Sequence, residues 1–466
     1  MSVIWSVPAC GLASYTCLRR TTLPWNVVLA LVLFASPFVP LQAAAAVVGV
    51  LLALARGGRR VRPRGIDGDG LAIGRDRNGR LVRIPLRERS GSHTLVVGAT
   101  GSGKTVTETW VLARAIDHGH GAVIVDPKGD RLLRAEARAA ALRSGRRFIE
   151  WTPQGPAIYN PYAHGSPSEI ADKALAGESY SEPHYLRQAQ RYLAHAARAA
   201  AAVGETLTPR RLLELMDPRA LELAARGIAD ETAARTLFAY LDSLDARQRA
   251  GLAGTRDRLA ILAESELGCW LDPGRGRAID LLAAVRERAV VYFCLEADRL
   301  PLLARMLAAA IVQDLLTVAA ECQREPVGTL VAIDEFSGVG AAGVARLFGR
   351  ARAAGFSLLL ATQELADLRA ASDELLEQVL GNVETVVAHR QSVPDSAELV
   401  ARIAGTRQVW TRTEQLEHGF ATGRGTRTPG REYVIHPDAI KALAPGSAAV
   451  AVASAGSCQL AQIFHP

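Results

Sequence analysis

The chain has 466 residues, 49% hydrophobic and 22% charged, ordinary globular proportions that exclude wholesale disorder and leave room for roughly two to four compact units. Six cysteines (Cys10, Cys17, Cys269, Cys294, Cys322, Cys458) stand far apart with no CxxC pair, which argues against a disulfide scaffold or a zinc ribbon. The net charge is +7, but residues 1–92 alone carry +9, so the basic balance belongs to the N-terminal end and is not in itself a sign of nucleic-acid binding.

The first 22 residues end in Arg19 and Arg20, and 35 residues without a charge separate Arg20 from Arg56. A single helix over 23–55 would be roughly 50 Å long, more than one crossing needs, and it would contain Pro37 and Pro40, which break helices. The pattern predicts a transmembrane helical hairpin, 23–39 and 41–55, turning at the prolines. Arginines on both flanks, including Arg56, Arg59, Arg60, Arg62 and Arg64 in a basic juxtamembrane linker over 56–65, predict that both ends are cytoplasmic and that the linker meets anionic lipid. Ala53-Leu54-Ala55 looks like a signal-peptide cleavage site, but the apolar stretch is too long for one.

Beyond residue 66, Asn78-Gly79 between two short apolar runs predicts a hairpin. A strand over 93–97 is followed by Gly98, Ala99, Thr100, Gly101, Ser102, Gly103, Lys104 and Thr105, and then by helical periodicity over 106–117. This is GxxxxGK[ST] in its required setting of strand, loop and helix. The glycines let backbone N–H groups surround phosphate oxygens, Lys104 reaches the β- and γ-phosphates, and the Thr105 hydroxyl ligates Mg²⁺. ATP and Mg²⁺ are the expected ligands. The matching acidic strand is 330–333 followed by Asp334, for the Mg²⁺ shell, and Glu335, to orient and polarise the attacking water.

Further strands are expected at 122–125, 147–151, 290–295, 357–361 and 385–388. They indicate an α/β fold, a doubly wound RecA-like P-loop sheet with the nucleotide at the strands' C-terminal edge. Gln363, two residues past one strand, is placed either to sense the γ-phosphate or as a solvated loop amide. Residues 165–275 read as an all-helical insertion, with helices at 185–202, 208–216, 220–228, 233–241 and 256–263, between ATPase parts at 66–164 and 276–466. From 166 to 273 the net charge is −3, so no basic face is expected there. His118 and His120 share a loop and read as solvated.

With these residues in hand, the chain resembles the conjugative coupling proteins of type IV secretion systems, the TraG/TraD-like group of FtsK/HerA-class ATPases. The resemblance rests on the apolar hairpin, the stretch 93–105 (HTLVVGATGSGKT), Asp126-Pro127-Lys128-Gly129-Asp130, Asn160-Pro161, residues 270–273, Asp334-Glu335, and 350–363 (RARAAGFSLLLATQ). Asp126–Asp130 discriminates best, since a phosphate loop alone fits many ATPases. Two departures stand out: the outer turn of the hairpin is minimal, and no acidic tail follows the last strands. The resemblance implies a homohexameric motor in the bacterial inner membrane, with its ATPase domain cytoplasmic. It also implies DNA, a relaxase or nucleoprotein substrate, and type IV secretion channel proteins as partners. By its spacing to Gln363 it favours Arg352, ahead of Arg350, as an arginine finger acting in a neighbouring subunit. Position suggests that such a residue lies near the sheet's C-terminal edge. A membrane-tethered duplex-DNA translocase for segregation, and an ATP-dependent docking receptor for secreted protein effectors, remain as alternatives.

Overall fold

The computed structural model describes residues 70–177, 180, 182–273, 276–338, 341–417 and 420–466, all within one compact unit. The expected hairpin at 23–55 and the basic linker at 56–65 lie outside the described residues.

Strands β1 (Gly70–Asp76) and β2 (Leu81–Pro85) form the hairpin expected around Asn78-Gly79. Its turn is longer than the two-residue form that Asn-Gly favours. The Asp76 carboxylate accepts from the backbone N–H of Asn78 (2.9 Å) and Arg80 (2.8 Å), and Gly79 supplies the left-handed φ of 77°. Next come β3 (Thr94–Val97), α1 (Lys104–Asp117), β4 (Gly121–Asp126), α2 (Arg131–Arg143) and β5 (Phe148–Trp151). A run of helices follows: α3 (Pro167–Leu175), α4 (Pro183–Ala202), α5 (Pro209–Leu215), α6 (Pro218–Ala225), α7 (Glu231–Asp242), α8 (Ala246–Gly251) and α9 (Ala253–Ala263). The chain returns through α10 (Leu281–Arg286), β6 (Val290–Cys294), α11 (Pro301–Cys322), β7 (Thr329–Ile333), α12 (Ala341–Ala351), β8 (Phe356–Thr362), α13 (Leu365–Ala371), α14 (Asp373–Asn382) and β9 (Thr385–Ala388). It ends with α15 (Pro394–Ala404), β10 (Thr406–Glu417), β11 (Phe420–Tyr433), α16 (Pro437–Lys441), β12 (Ser447–Val452) and β13 (Ser457–Ile463).

Eleven of these strands make one sheet in the order β2-β1-β13-β12-β9-β3-β8-β7-β4-β6-β5. From β9 to β5 every pairing is parallel. All but the edge strand β5, whose burial alternates along Phe148–Trp151, are buried along their whole length, as strands covered on both faces require. The other flank is antiparallel. It makes the sheet mixed rather than wholly doubly wound, because α15 and α16 bring the chain back to the edge it left after β9. Helix α11 is the one described helix long and apolar enough to cross a membrane, yet 89% of its apolar window is buried; it is the central core helix beneath the sheet.

Helix starts in the insertion follow capping rather than hydrophobic period. Pro183, Pro209 and Pro218 open α4, α5 and α6, where the missing N–H costs nothing. Thr208, Asp217 and Asp230 cap α5, α6 and α7 with side-chain oxygens. Hence α6 begins at Pro218 and ends at Ala225, not at 220 and 228. These helices bury their own apolar cluster, including Tyr192, Leu212 and Leu221. A buried ion pair ties α3 to α11: the Lys173 ammonium donates to Asp314 at 2.5 Å with both side chains at most 1% exposed, and Tyr159 donates to the other Asp314 oxygen at 2.8 Å.

Two expectations change. His120 is 2% exposed, so it is a core residue at the start of β4 rather than a solvated loop histidine. The insertion does gather positive charge locally: Arg187, Arg191 and Arg247 line one recess beside Tyr240, which an average over the segment conceals.

Candidate nucleotide site

Strand β3 delivers the glycine loop to the C-terminal edge of the parallel strands. At Gly98 a Cβ would stand 2.5 Å from the Ser102 hydroxyl and 2.8 Å from the His389 Cβ, so only glycine fits. Gly101 and Gly103 take φ values of 74° and 106°, left-handed conformations in which glycine is unstrained. Helix α1 then starts at Lys104 with no side-chain cap and no acid in its first turn. Its first N–H groups are left for an anion at the positive end of the helix dipole.

The loop is braced from behind by the late strands. The Gly446 N–H donates to the Ser102 carbonyl at 2.8 Å. His389 spans Thr107 (2.7 Å) and the Ser447 carbonyl (2.9 Å). Burial pushes its imidazole down to about 4, so the ring is neutral. Nδ1 must carry the proton for Ser447, and Nε2 accepts from the Thr107 hydroxyl.

Strand β7 brings the acids. Lys104 bonds to Asp334 and lies 3.3 Å from Glu335 and 3.4 Å from Glu108, one helical turn along. Burial alone would lower the Lys104 ammonium, but Glu108, Asp334 and Glu335 outweigh it and hold it above the usual lysine range. Burial raises Asp334 against the pull of Lys104, and it raises Glu108 far above the carboxylate range, helped by Asp334. Glu335 behaves oppositely. Burial opposes its ionisation, yet Lys104, Lys128 and Gln363 together keep it below the normal value. One oxygen, Oε1, receives Lys128 at 2.9 Å and Gln363 at 3.1 Å as well as facing Lys104. Its backbone is left-handed, φ 46°, a conformation that costs a non-glycine residue energy and that aims this side chain into the cleft.

Lys128 is aimed by a second device. The Asp126 carboxylate accepts the backbone N–H groups of Lys128, Gly129 and Asp130 at 2.7–2.8 Å, and Tyr292 hydroxyl donates to it as well. This turn explains the Asp126–Asp130 motif: the first carboxylate folds the loop that carries the lysine.

The result is an open cleft of about 510 Å³ whose lining includes Ala99, Thr100, Lys104, Thr105, Asp334 and Gln363. The uncapped amide groups suit phosphate oxygens, and the Thr105 hydroxyl with the Asp334 carboxylate is a hard oxygen pair suited to Mg²⁺. The structure thus brings together the expected residues of loop, acid strand and sensor. Gln363 is not a loose loop amide, since it is held by Glu335 and by Thr100 (3.4 Å). Arg352 is not with them. It precedes β8, so it sits at the opposite edge of the sheet, across the seven residues of β8, roughly 20 Å at about 3.3 Å per residue. There it donates to the Asn382 carbonyl at 2.7 Å. The expectation of a place near the C-terminal edge is corrected: a residue ahead of a parallel strand lies at that strand's start.

Sequence reasoning missed Glu108, His389 and the roles of Lys128 and Gly446. Glu108 had a signal, being four residues after the loop lysine on the helix face that meets the sheet. His389 and Gly446 had none, because only the strand order brings them to the loop.

The loop strand β3 and the acid strand β7 flank β8, which carries Gln363. This arrangement defines the class: a P-loop α/β protein with a large, mostly parallel sheet and a helical insertion. The chain belongs to the type IV secretion-system coupling protein family, whose DNA-binding domain model matches residues 80–457. Among solved structures it is similar to the bacterial conjugative coupling protein TrwBdeltaN70 in an unbound form (TM-score 0.65, 18% identity, 88% of this chain and 91% of that one). It is likewise similar to TrwB in complex with ADP and Mg²⁺ (TM-score 0.63, 19% identity, 88% and 92%). A third similar structure is VirB4 of Thermoanaerobacter pseudethanolicus (TM-score 0.56, 16% identity, 86% and 98%). No curated protein matches the chain in sequence.

Proposed function

We infer that this coupling protein is an inner-membrane-anchored ATPase that drives DNA, with any bound relaxase, into a type IV secretion channel. The observation that carries the reading is the convergence of Lys104, Lys128 and Gln363 on Glu335 beside an uncapped phosphate loop. Support for DNA as cargo comes from the family to which the chain belongs, and support for a nucleotide with Mg²⁺ from the similar structure that holds both.

In this reading the loop amides and Lys104 bind the β- and γ-phosphates, drawing Lys104 off its carboxylate partners. Thr105 and Asp334 would hold Mg²⁺, which when bound supplies positive charge to the phosphate oxygens. Glu335, ionised and fixed by Lys128 and Gln363, orients a water and takes its proton as the water attacks the γ-phosphorus and ADP leaves. Gln363, hydrogen-bonded to both Glu335 and Thr100, links the state of the γ-phosphate to the rest of the sheet. Arg352 serves a neighbouring subunit's cleft in a homohexamer, with the 23–55 hairpin holding the ring in the membrane.

The test is ATP turnover by purified full-length protein with and without DNA, alongside transfer of a mobilisable plasmid from cells. Wild-type turnover stimulated by DNA, abolished by Lys104→Ala together with plasmid transfer, is the expected result. Turnover indifferent to DNA in a protein that binds secreted effectors tightly would replace the motor with a docking receptor.

A further inference from the structure

The longest strands among the described residues are outside the main sheet. β10 and β11, of 12 and 14 residues, pair only with each other and form a ribbon roughly 40 Å long at about 3.3 Å per residue. It leaves the body between α15 and α16, where the Val434 N–H donates to the Gly405 carbonyl at 2.9 Å. Gly405 lies beside Glu384 and Val452, at the sheet edge that also carries Arg352 and away from the nucleotide cleft.

The register sorts its side chains into two faces, because residues directly opposite each other in an antiparallel pair project the same way. One face carries the pairs Thr411↔Thr428 and Thr413↔Thr426 with Arg407↔Glu432; it is polar and its one acid stands opposite an arginine. The other carries Gln408↔Arg431, Trp410↔Pro429 and Arg412↔Arg427, three arginines against the one acid position of the next pair in register, Glu414↔Gly425. Trp410 is 53% exposed, and the Arg427 guanidinium lies over its ring at 4.9 Å. Both faces are solvent-exposed at these positions, so nothing within the described chain covers an indole that would gain by being covered.

We propose that this arginine–tryptophan face is a binding surface for single-stranded DNA, with arginines on phosphates and Trp410 stacked on an unpaired base. The proposal rests on the reading of the protein as a DNA motor and names the element that would hold the strand. Charge complementarity selects a polyanion. An exposed indole selects unpaired bases, whose faces are free, over a duplex whose bases already stack on one another. A lipid surface fits less well, since the ribbon's other face is threonine rather than apolar.

The experiment measures anisotropy of a labelled 20-nucleotide single strand and the matching duplex with full-length protein in detergent, for wild type, Trp410→Ala, Trp410→Phe and Arg427→Gln/Arg431→Gln. Turnover without DNA, whose residues lie elsewhere, reports folding. Trp410→Ala should weaken single-strand binding by about tenfold or more and leave duplex binding nearly unchanged, with Trp410→Phe restoring most of it. The double arginine variant should reduce the salt slope by about 1.4, at about 0.7 for each phosphate no longer neutralised. If wild type binds DNA and folded variants bind equally well, the ribbon assignment is overturned while the motor reading stands. Wild-type protein that binds no DNA would overturn the motor reading itself. Equal losses on duplex and single strand in Trp410→Ala would remove base stacking. Binding to phosphatidylglycerol vesicles that the variants lose, with DNA binding intact, would make the surface a lipid contact instead.

Discussion

Lys128 shows how one side chain sets the chemistry of another. It donates to Glu335 at 2.9 Å from a turn that Asp126 folds, and with Lys104 it overcomes the burial that would otherwise raise that carboxyl. The folded-state value of Glu335 is depressed, so its pairing contributes stability above the ordinary value of 4.5 and loses it as pH falls through the folded value. Lys128→Ala removes one of the opposing charges and moves the group upward. A pH–rate profile of ATP turnover should therefore show its acid limb displaced to higher pH in Lys128→Ala, with the alkaline side unmoved; an unshifted acid limb would mean that Lys104 and Gln363 suffice. Glu335→Gln, which keeps the shape and loses the charge, should bind nucleotide and turn over about 10²- to 10⁴-fold more slowly.

At the scale of the element, the phosphate loop is held by packing as well as by glycine freedom. Gly101→Ala meets open space but a left-handed φ of 74°, a strain of about 1–2 kcal/mol. Gly98→Ala forces a methyl against Ser102 and His389, so nucleotide affinity should fall further in Gly98→Ala than in Gly101→Ala, as isothermal titration would measure. Helix α11 poses a different question. Asp314→Ala leaves the Lys173 ammonium buried without its carboxylate, a loss of about 3–5 kcal/mol, and the denaturant midpoint should drop accordingly. The GxxxxGK[ST] run, the acid pair and most strands of the parallel body were legible because local patterns specify them: a motif at fixed spacing, and apolar runs that end in Asp126 or Asp334. The β10–β11 ribbon was not legible. Its Thr, Arg and Gly residues make no apolar alternation, and the ribbon meets the core at its base, where Tyr433 packs. Arg352 was misplaced for another reason, that spacing along a strand does not say which end of it faces the site until direction in the sheet is known.

Across the whole molecule, Arg352 is separated from its own cleft by the length of β8, so the proposed finger can act only in a second subunit. Rings mixing Arg352→Ala with Lys104→Ala subunits should recover part of the turnover that each variant lacks alone, because wild-type copies of both residues then meet at one interface. Co-assembled rings without recovery would move the role to Arg350. The sheet order carries a consequence for biosynthesis. Strand β1 pairs with β13, and the phosphate loop leans on Gly446 and, through His389, on Ser447. The residues that recognise phosphate leave the ribosome some 340 residues before those that brace them, and such long-range pairing forms late. An unfinished or prematurely stopped chain thus carries the phosphate-loop motif without its support, so that competence to use ATP arrives only with the last strands, when there is a whole machine to spend it.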